Sequence, residues 1–408
     1  MALETPSWLN IDFAERIMRL AEQDNTVQVT DVFQKAATNK GDNYTSDMMR
    51  VTIEFSRKQG DERVNEKRSL IFKFEPMVEG ARRDMIEKTQ LFDVEIIMMT
   101  DTVKKMSDML GYDHRLSAEI YHVRMERPVC LVMEDLGAIG FRMADRQAGL
   151  DLEHSTLAIR GLGRFHAASV ALCEKEPKQK TKYYRGMFSK EYPEEMSSFF
   201  TAGCKALAEE IETWPELEKR YADKLRRLSD RIYDLGAAST KRRGDEFAVI
   251  NHGDFWVNNM LFKYDQNSKP IQHIFVDFQV SIYTTPAVDL QYFLNTSLSD
   301  DVYLNHMDAL LADYLHTLTS TMKQLKCKTP PPTIDDIKKC MKERAIYGLI
   351  SSVTVLPVLL LDKSQAKDID EMVLKDGQYD NPGYRNPIYR QVMTKRIPMF
   401  DEMGLLDL

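Results

Sequence analysis

A segment in the second half of the chain carries the residue types that phosphoryl transfer requires. Asp254 follows His252-Gly253, and Asn259 lies five positions later. Asp277 ends a short apolar run eighteen residues after Asn259. In phosphoryl-transfer sites one carboxylate accepts the proton of the attacking hydroxyl, while an amide oxygen and a second carboxylate hold Mg²⁺ on the nucleotide phosphates. The spacing predicts Asp254 as the catalytic base and Asn259 and Asp277 as the metal ligands.

The chemistry of the reaction accounts for these residue types. The transferred phosphoryl group spreads negative charge over several oxygens, and a divalent cation neutralises that charge. Mg²⁺ prefers hard oxygen ligands in a near-octahedral shell, which a carboxylate and an amide carbonyl supply. The alternative interpretation is a common His-Gly-Asp turn and an unrelated strand end. The two motifs in this order favour the functional interpretation.

The elements around this segment must position it. Apolar runs at residues 247–250, 260–262 and 274–276 predict short strands that enter and leave the loop. Residues 286–290 predict a following helix, in which Asp289 either caps the helix or bonds to the backbone of the catalytic loop. Strand, loop, strand and carboxylate in this order predict the larger lobe of a kinase-like fold.

A phosphate-binding cation is expected elsewhere in an acidic chain. Lys73 lies within the apolar run 70–74, where a buried lysine is costly unless it pairs with an anion. We interpret Lys73 as the lysine that contacts the ATP phosphates; the alternative is a lysine on an edge strand whose ammonium group reaches water. The helical pattern of residues 83–110 offers Glu95 and Glu87 as its partner. We favour Glu95, although both could be surface glutamates.

Composition narrows the class of protein. The chain has 408 residues, with 43% hydrophobic and 29% charged residues, enough for two soluble lobes. A net charge of −8 argues against nucleic acid as the main partner. The five cysteines show no metal-ligand spacing, and the N-terminus has no apolar signal region, so we expect a cytoplasmic protein. We also expect a monomer that acts on a small molecule.

Four further stretches are interpreted as structural. The longest apolar run, residues 345–361, contains Ser, Thr and Pro and predicts a buried helix and no membrane span. Gly161-Leu162-Gly163 lies in a helical pattern without a preceding strand, so we reject a dinucleotide loop, and His166 is expected to be a buried structural histidine. Charged residues 174–190 predict an exposed linker, and residues 241–243 predict a solvated loop.

The motifs together resemble one known family. The segments that carry the resemblance span most of the chain: residues 41–44 with Ser46, 72–73, 132–136, 165–169, 251–259, 275–279 and 285–290. They are similar to the insect ecdysteroid kinase-like family, within the choline/aminoglycoside-kinase-like group. The resemblance covers roughly residues 35–390. The linked motifs are specific for this family and say little about the substrate.

The resemblance implies an α+β, bilobal protein-kinase-like fold. An N-lobe with an antiparallel sheet and a helix would span residues 1–133, a hinge 134–140, and a larger, mainly helical C-lobe 141–408. The substrate pocket would be built from helices in residues 189–223 and 345–361. Gln279 stands where protein kinases usually have glycine, which argues against a protein substrate.

The resemblance also implies the activity and its cofactors. These are the ATP-dependent phosphorylation of a hydroxyl of an ecdysteroid, a related steroid or a xenobiotic compound, with Mg²⁺. Cofactor contacts would come from three parts of the N-lobe and hinge: Lys73 with Glu95, the turn with Gly41, Asn43 and Ser46, and the hinge with Glu134 and Leu136. One alternative is a catalytically silent kinase fold that binds a small molecule; another is a choline- or aminoglycoside-like substrate. Intact Lys73, Asp254, Asn259 and Asp277 favour an enzyme.

Overall fold

The computed structural model describes residues 6–38, 45–76, 78–361 and 379–407. The chain divides into two compact units. The first comprises Met1–Glu87 and Ala118–Arg142, and the second comprises Lys88–Ser117 and Met143–Leu408. An N-terminal antiparallel sheet is followed by a mainly helical region. This order of elements confirms the predicted α+β class, with an antiparallel sheet before a larger, mainly helical region.

The first unit is built on a five-stranded antiparallel sheet in the order β1-β2-β3-β5-β4. Its strands are β1 Gln28–Ala36, β2 Asp47–Gln59, β3 Glu62–Phe74, β4 Ile120–Arg124 and β5 Cys130–Glu134. The register of the β2–β3 hairpin pairs Gln59 with Glu62 across a turn that contains Gly60. Gly60 has a φ of 66°, a left-handed conformation that glycine adopts without steric cost.

One face of this sheet is covered by helix α1 (Ile11–Glu22). The Asn10 side chain caps the helix by accepting a hydrogen bond from the Phe13 backbone N–H at 2.9 Å. Phe13, Ile17 and neighbouring apolar side chains of α1 are buried in the same cluster as Phe72 and Phe74 of β3. Burying each such large side chain contributes roughly 1.5–3 kcal/mol, so this core fixes the position of β3.

Alternation along β3 places Lys73 on the opposite face. Phe72 and Phe74 belong to the cluster under α1, and successive strand residues point to opposite faces. Lys73 is only 3% exposed, and its cross-strand neighbours are Met48 and Leu131. Because β3 is the central strand, the edge-strand interpretation of Lys73 was wrong.

The predicted long helix over residues 83–110 is interrupted. Its pieces are α2 Ala81–Thr89, α3 Leu91–Ile97, a π-helical turn Met98–Thr102 and α4 Val103–Leu110. Gln90, between α2 and α3, has a left-handed φ of 55°. The apolar periodicity continues across this break. The spacing of apolar residues indicates which face is buried and does not indicate the backbone torsion of one residue, so the break was not predicted.

Two strand pairs and most of the helices lie in the second unit. Its short strands are β7 Val249–Asn251, β8 Met260–Tyr264, β9 Pro270–Phe275 and β10 Ile282–Thr284. The two-residue strand β6, Phe141–Arg142, precedes them in the chain and belongs to the first unit. The helices are α5 Leu152–Lys175, α6 Glu194–Ile211, α7 Arg220–Ser229, α8 Ile232–Thr240, α9 Ala287–Thr296, α10 Asp300–Asn305, α11 Met307–Gln324, α12 Ile334–Glu343, α13 Ala345–Thr354, α14 Leu356–Leu359 and α15 Pro387–Glu402. Antiparallel pairs join β7 to β10 and β8 to β9.

Helix α5 is the central helix of this unit, and its glycines serve packing. A Cβ at Gly161 would lie 2.6 Å from Nδ1 of His273, and a Cβ at Gly163 would lie 3.0 Å from the backbone oxygen of Tyr314 in α11. Neither position has room for a side chain without a shift of its neighbour. The two glycines thus allow α5 to pack closely against β9 and α11, and they lie inside a helix and not in a dinucleotide loop.

The apolar run 345–361 forms helices α13 and α14 and is buried, as predicted. Within the residues that the structure describes, no helix has the length and apolarity needed to cross a bilayer.

The charged segment 174–190 differs from its predicted state. It forms a 3₁₀ helix at Pro177–Thr181, and Gln179, Tyr183 and Phe188 are buried. The Thr102 hydroxyl lies 3.0 Å from Oε1 of Gln179 and donates to it. The prediction of an exposed linker was wrong because it counted charged residues and missed the apolar and amide side chains between them.

Candidate active site

The candidate catalytic loop connects β7 to β8, and the loop that follows β9 carries Asp277. Asn251 in β7 pairs with Ile282 in β10, so the chain segments before Asp254 and after Asp277 run side by side. Residues Val257–Asn259 form a 3₁₀ turn that ends the loop. Asp254, Asn259 and Asp277 all lie in the second unit.

Asn259 holds Asp254 directly. The Asn259 side-chain nitrogen donates to Oδ2 of Asp254 at 2.8 Å and to its backbone oxygen at 3.0 Å. Because both donated bonds use the amide nitrogen, the amide oxygen Oδ1 is directed elsewhere. The Val276 backbone N–H donates to the Asn259 carbonyl at 3.1 Å and ties this turn to the residue before Asp277. The structure therefore brings the predicted base and the predicted metal-binding amide into contact.

The electrostatic environment of Asp254 is negative. Burial raises the pKa of Asp254 to about 7, and the charge of Asp277 adds to the rise. Hydrogen bonds from Tyr292 and Asn259 oppose it. Tyr292 lies in α9 and is 2% exposed. The sequence analysis missed this tyrosine, because nothing in an apolar helical pattern indicates which ring reaches a carboxylate.

Asp277 has an unusual backbone conformation. Its φ of 66° lies in the left-handed region, which non-glycine residues rarely adopt. The next residue, Phe278, is fully buried, and its ring centroid lies 4.7 Å from that of His252. Left-handed torsions of this kind cost of order 1–3 kcal/mol and persist where packing on either side imposes them. The buried Phe278 is one such constraint on the turn that carries Asp277.

Asp289 fixes the backbone of the catalytic loop. Its carboxylate accepts hydrogen bonds from the backbone N–H groups of His252 at 2.7 Å and Gly253 at 2.8 Å. His166 Nε2 lies 3.1 Å from the same carboxylate, and both side chains are fully buried. Of the two predicted roles of Asp289, the bond to the loop is correct; α9 begins after Pro286 without a side-chain cap. His166 is a buried structural histidine, as predicted.

Gly253 is required where the loop passes close to the backbone of Val280. Its φ is 88°, and a Cβ at this position would lie 2.0 Å from the backbone oxygen of Val280. A side chain at residue 253 would therefore both strain the backbone and collide with the chain that follows Asp277.

His252 links the loop to the strand before Asp277. Its Nε2 lies 3.0 Å from the Val276 carbonyl oxygen, and the Asp254 backbone N–H points at Nδ1 from 3.3 Å. The carbonyl needs a donor and the N–H needs an acceptor, so these contacts assign a neutral ring protonated at Nε2.

Glu95 and Gln279 form a buried pair within the second unit. The Gln279 side-chain amide donates to Oε2 of Glu95 at 3.2 Å, and the two residues are 4% and 1% exposed. The sequence analysis noted Gln279 only as a departure from glycine and missed this bond. A glycine could not supply it. Glu87, the alternative partner of Lys73, is half-exposed and pairs with Arg127 at 2.5 Å.

The remaining candidates lie in the first unit. Ser46 is buried near the start of β2, and Leu136 is buried just after β5. Gly41 and Asn43 lie outside the described residues. The pairing of Lys73 with Glu95 stays a prediction, because the two residues belong to separate units.

Glu134 and Leu136 flank a fixed turn. The Asp135 side chain accepts hydrogen bonds from the Gly137 backbone N–H at 3.1 Å and from Arg50 Nε at 2.7 Å. Burial raises the pKa of Asp135, but the hydrogen bonds from Arg50 and Ser69 outweigh it and hold that pKa below its ordinary value. Glu134 ends β5, and its backbone N–H donates to the Glu119 carbonyl at 2.9 Å. The role of both residues in binding a nucleotide stays a prediction.

The donor set around Asp254 fits a cation that is shared with phosphate. Asn259 and Asp277 offer hard oxygens, and the negative surroundings of Asp254 favour a nearby positive charge. Among the described residues, no three His, Cys, Asp or Glu side chains converge as a metal site. Mg²⁺ commonly takes only one or two protein ligands, with nucleotide phosphates and water completing its shell. The residues present therefore fit nucleotide-bound Mg²⁺ better than a metal held by protein alone.

Several solved structures are similar to the chain. Spectinomycin phosphotransferase APH(9)-Ia, in complex with ADP and spectinomycin, has 9% identity, with 95% of this chain and 98% of that chain covered and a TM-score of 0.41. Aminoglycoside phosphotransferase APH(2'')-Ib bound to ADP has 13% identity and a TM-score of 0.31, with 82% of this chain and 98% of that chain covered. The streptomycin–ATP–APH(2'')-IIa ternary complex has 15% identity and a TM-score of 0.34, with 85% of this chain and 96% of that chain covered.

Comparison with curated proteins gave no match. The sequence model of the ecdysteroid kinase-like family matches residues 40–327, which is more than half of the chain. The match includes every one of the candidate residues in both units. The chain therefore belongs to the ecdysteroid kinase-like family and is a small-molecule kinase, an ATP-dependent phosphotransferase with a hydroxyl group as acceptor.

Proposed function

We propose that Asp254 is the catalytic base of this kinase and that Asn259 and Asp277 bind the Mg²⁺ of Mg-ATP. The observation that carries the proposal is the double hydrogen bond from the Asn259 amide to Asp254, beside the negative charge of Asp277. These contacts give each side chain a separate task. One carboxylate oxygen of Asp254 is held by the amide, and the acceptor hydroxyl would approach the other.

Asp254 acts on the acceptor alcohol. A carboxylate that is held in place can orient the hydroxyl and receive its proton as the oxygen attacks phosphorus. Its position is supported from behind by Asp289, which fixes the backbone of the two preceding residues. The hydrogen bond from Asn259 keeps the carboxylate in one rotamer, which reduces the entropy lost on reaching the reactive geometry.

Asn259 and Asp277 hold the metal. When bound, the cation supplies positive charge that neutralises the developing charge on the phosphate oxygens. The two printed bonds of the Asn259 side chain use its nitrogen, which leaves the amide oxygen for a cation, and Asp277 lies two residues after the end of β9. The chain therefore contributes one neutral and one anionic oxygen, which avoids accumulating excess negative charge beside the triphosphate.

Lys73 contacts the nucleotide phosphates, with Glu95 as its partner. A lysine that is 3% exposed on a central strand requires an anion, and Glu95 is as deeply buried. Gln279 supports this assignment because it donates to the Glu95 carboxylate and holds it in one orientation. Ser46 would contact the phosphates together with Gly41 and Asn43, which lie outside the described residues, and Glu134 and Leu136 would border the adenine.

The acceptor is a hydroxyl of an ecdysteroid, a related steroid or a hydroxylated foreign compound. Family membership supports this class. The C-lobe helices α6 and α13, with residues 189–223, are the proposed surroundings of the acceptor. The protein works as a cytoplasmic monomer in hormone inactivation or in detoxification.

The test is direct phosphorylation. The purified protein is incubated with Mg-ATP and a panel of ecdysteroids, phenols, glycosides and choline, and each product is analysed by mass spectrometry for an added phosphate. We expect phosphate on at least one steroid or phenolic hydroxyl and none when EDTA replaces Mg²⁺. Phosphate on choline or an aminoglycoside alone would overturn the acceptor class.

A second measurement separates a silent binding protein from an enzyme. Mg-ATP at about 100 times its dissociation constant should stabilise the folded state by roughly 2.7 kcal/mol, seen as a rise in melting temperature. No rise, combined with no product from any acceptor, would indicate a kinase fold that only binds small molecules.

A further inference from the structure

Two cavities of the second unit differ sharply in charge. The first, of about 640 Å³, has two basic and four acidic side chains in its lining, among them Arg243, Glu246 and Glu343. The second, of about 350 Å³, has five basic side chains and one acidic one; we call it the basic cavity. Its charged residues are Lys180, Arg185, Lys190, Lys241, Arg242 and Glu191. A concentration of positive charge stands out in a chain of net charge −8.

The basic cavity is formed by stretches that the sequence analysis interpreted as linker and solvated loop. Residues 180–191 form one side. Lys241 and Arg242, just after α8, form another, and Ile282 and Tyr283 of β10 complete it. Tertiary packing therefore brings the short basic run at residues 241–242 beside the basic residues of 180–190.

The backbone around the cavity is held by buried polar contacts. The Tyr183 hydroxyl lies 2.6 Å from the Thr102 hydroxyl, and the Tyr183 carbonyl accepts from the Tyr283 N–H at 2.7 Å. The Tyr192 hydroxyl donates to the Gly186 carbonyl at 2.7 Å, and the Tyr233 hydroxyl donates to the Ser189 carbonyl at 2.8 Å. Such bonds organise the cavity before any ligand binds, which lowers the entropic cost of binding.

Only part of the positive charge is neutralised within the protein. Arg185 pairs with Glu191 at 3.0 Å, and Lys190 pairs with Asp234 at 3.7 Å. In the part of the chain that the structure describes, Lys180, Lys241 and Arg242 form no ion pair with a carboxylate. Like charges gathered at one concave surface repel one another, and a bound anion would relieve that repulsion.

Aromatic surface accompanies the charge. Lys180 Nζ lies 5.9 Å from the ring centroid of Tyr283, and Tyr184 exposes 59% of its surface at the same cavity. The combination of cations and rings is suited to a ligand with an anionic group on a flat apolar body.

We propose that the basic cavity binds a small organic anion, a phosphate, sulfate or carboxylate group carried on an aromatic body. Lys180, Lys241 and Arg242 contact the anionic group, and the rings of Tyr184 and Tyr283 contact the apolar body. None of these five residues belongs to the proposed base, the metal ligands or the nucleotide contacts. The cavity adjoins the proposed acceptor surroundings at residues 189–191, but anion binding by Lys180, Lys241 and Arg242 does not require that the acceptor binds there.

The experiment measures binding of 2-naphthyl phosphate by calorimetry, with the nucleotide site saturated by Mg-ADP. The matched neutral ligand is 2-naphthol. We expect 2-naphthyl phosphate to bind at least tenfold more tightly than 2-naphthol. The double variant Lys180→Ala/Arg242→Ala should weaken 2-naphthyl phosphate at least tenfold. Arg243→Ala is the matched control, because Arg243 lines the other cavity and pairs with Glu343 at 3.4 Å; it should leave binding unchanged.

Three results would overturn the proposal: unchanged binding in the double variant, equal binding of the naphthol, or the same loss in Arg243→Ala. If the double variant does not fold, the wild-type protein still decides. Raising the ionic strength from about 0.05 M to about 0.5 M shortens the screening length severalfold, so it should weaken 2-naphthyl phosphate and not 2-naphthol. Binding that is insensitive to salt would rule out a site built on these cations.

Discussion

Two carboxylates of the second unit, Asp254 in the catalytic loop and Asp289 in α9, have opposite surroundings. Asp289 is fully buried and receives two backbone N–H groups and a contact from His166. Asp254 keeps part of its surface exposed. Loss of water around its carboxylate, together with the nearby charge of Asp277, raises the pKa of Asp254 to about 7. Asp289 holds the backbone of the loop, whereas Asp254 accepts hydrogen bonds from the Asn259 and Tyr292 side chains and is the proposed base.

Residue type alone does not distinguish an aspartate that holds the backbone from one proposed to act on the acceptor. Both aspartates lie within the residues that the family model matches. The difference lies in which donors each carboxylate receives: backbone N–H groups of the loop at Asp289, and the side chains of Asn259 and Tyr292 at Asp254. Three substitutions test whether this division of roles is correct.

Removing the reactive carboxylate should have the largest effect. Asp254→Asn keeps the size of the side chain and removes the base, so we expect turnover to fall by roughly a hundred- to ten-thousand-fold. The affinity for Mg-ATP should change little. Turnover by phosphate release or product mass and nucleotide affinity by calorimetry provide the measurement. Asp245→Asn, at an exposed position, is the control. Near-normal turnover in Asp254→Asn would show that the base is misassigned.

Removing the structural carboxylate should mainly affect folding. In Asp289→Asn, one oxygen becomes an NH₂ donor that faces backbone N–H groups, and the buried His166 loses its anion. We expect the free energy of unfolding to fall by roughly 3–5 kcal/mol, measured by urea denaturation. The exposed Asp301→Asn is the matched control. If Asp289→Asn lost turnover at unchanged stability, Asp289 would belong to the chemistry and the comparison would fail.

A smaller effect is expected where the loop backbone meets Asp289. Gly253→Ala adds a Cβ 2.0 Å from the Val280 oxygen at a φ of 88°. We expect roughly 1–3 kcal/mol of destabilisation from strain alone, with a further loss from the collision. Gly244→Ala isolates the collision, because Gly244 also has a positive φ, 52°, and no atom within 4 Å of its Cβ position. Equal melting temperatures for the two variants would show that the contact with Val280 does not constrain the loop.

The sequence placed Asp254 and Asn259 on the same short loop. Asp254 and Asn259 are five residues apart on one short loop, so chain connectivity keeps them close, and the structure shows them hydrogen-bonded. The α+β class was implied by the family resemblance, and the apolar runs on either side of the loop predicted its short strands. The long helix over residues 83–110 was predicted without its break at Gln90, because a single left-handed residue leaves no trace in hydrophobic periodicity.

Contacts between distant residues were decided only by the tertiary structure. Gln279 and Glu95 are 184 positions apart in the chain, and their buried hydrogen bond has no signature in either local sequence. The same holds for Tyr292 beside Asp254 and for the basic cavity, which gathers Lys180 and Arg242 from two loops. Spacing along the sequence predicts which residues on one loop lie close together, because the chain connects them. Contacts between distant residues depend on how all the helices and strands pack, and that packing cannot be read from local sequence patterns.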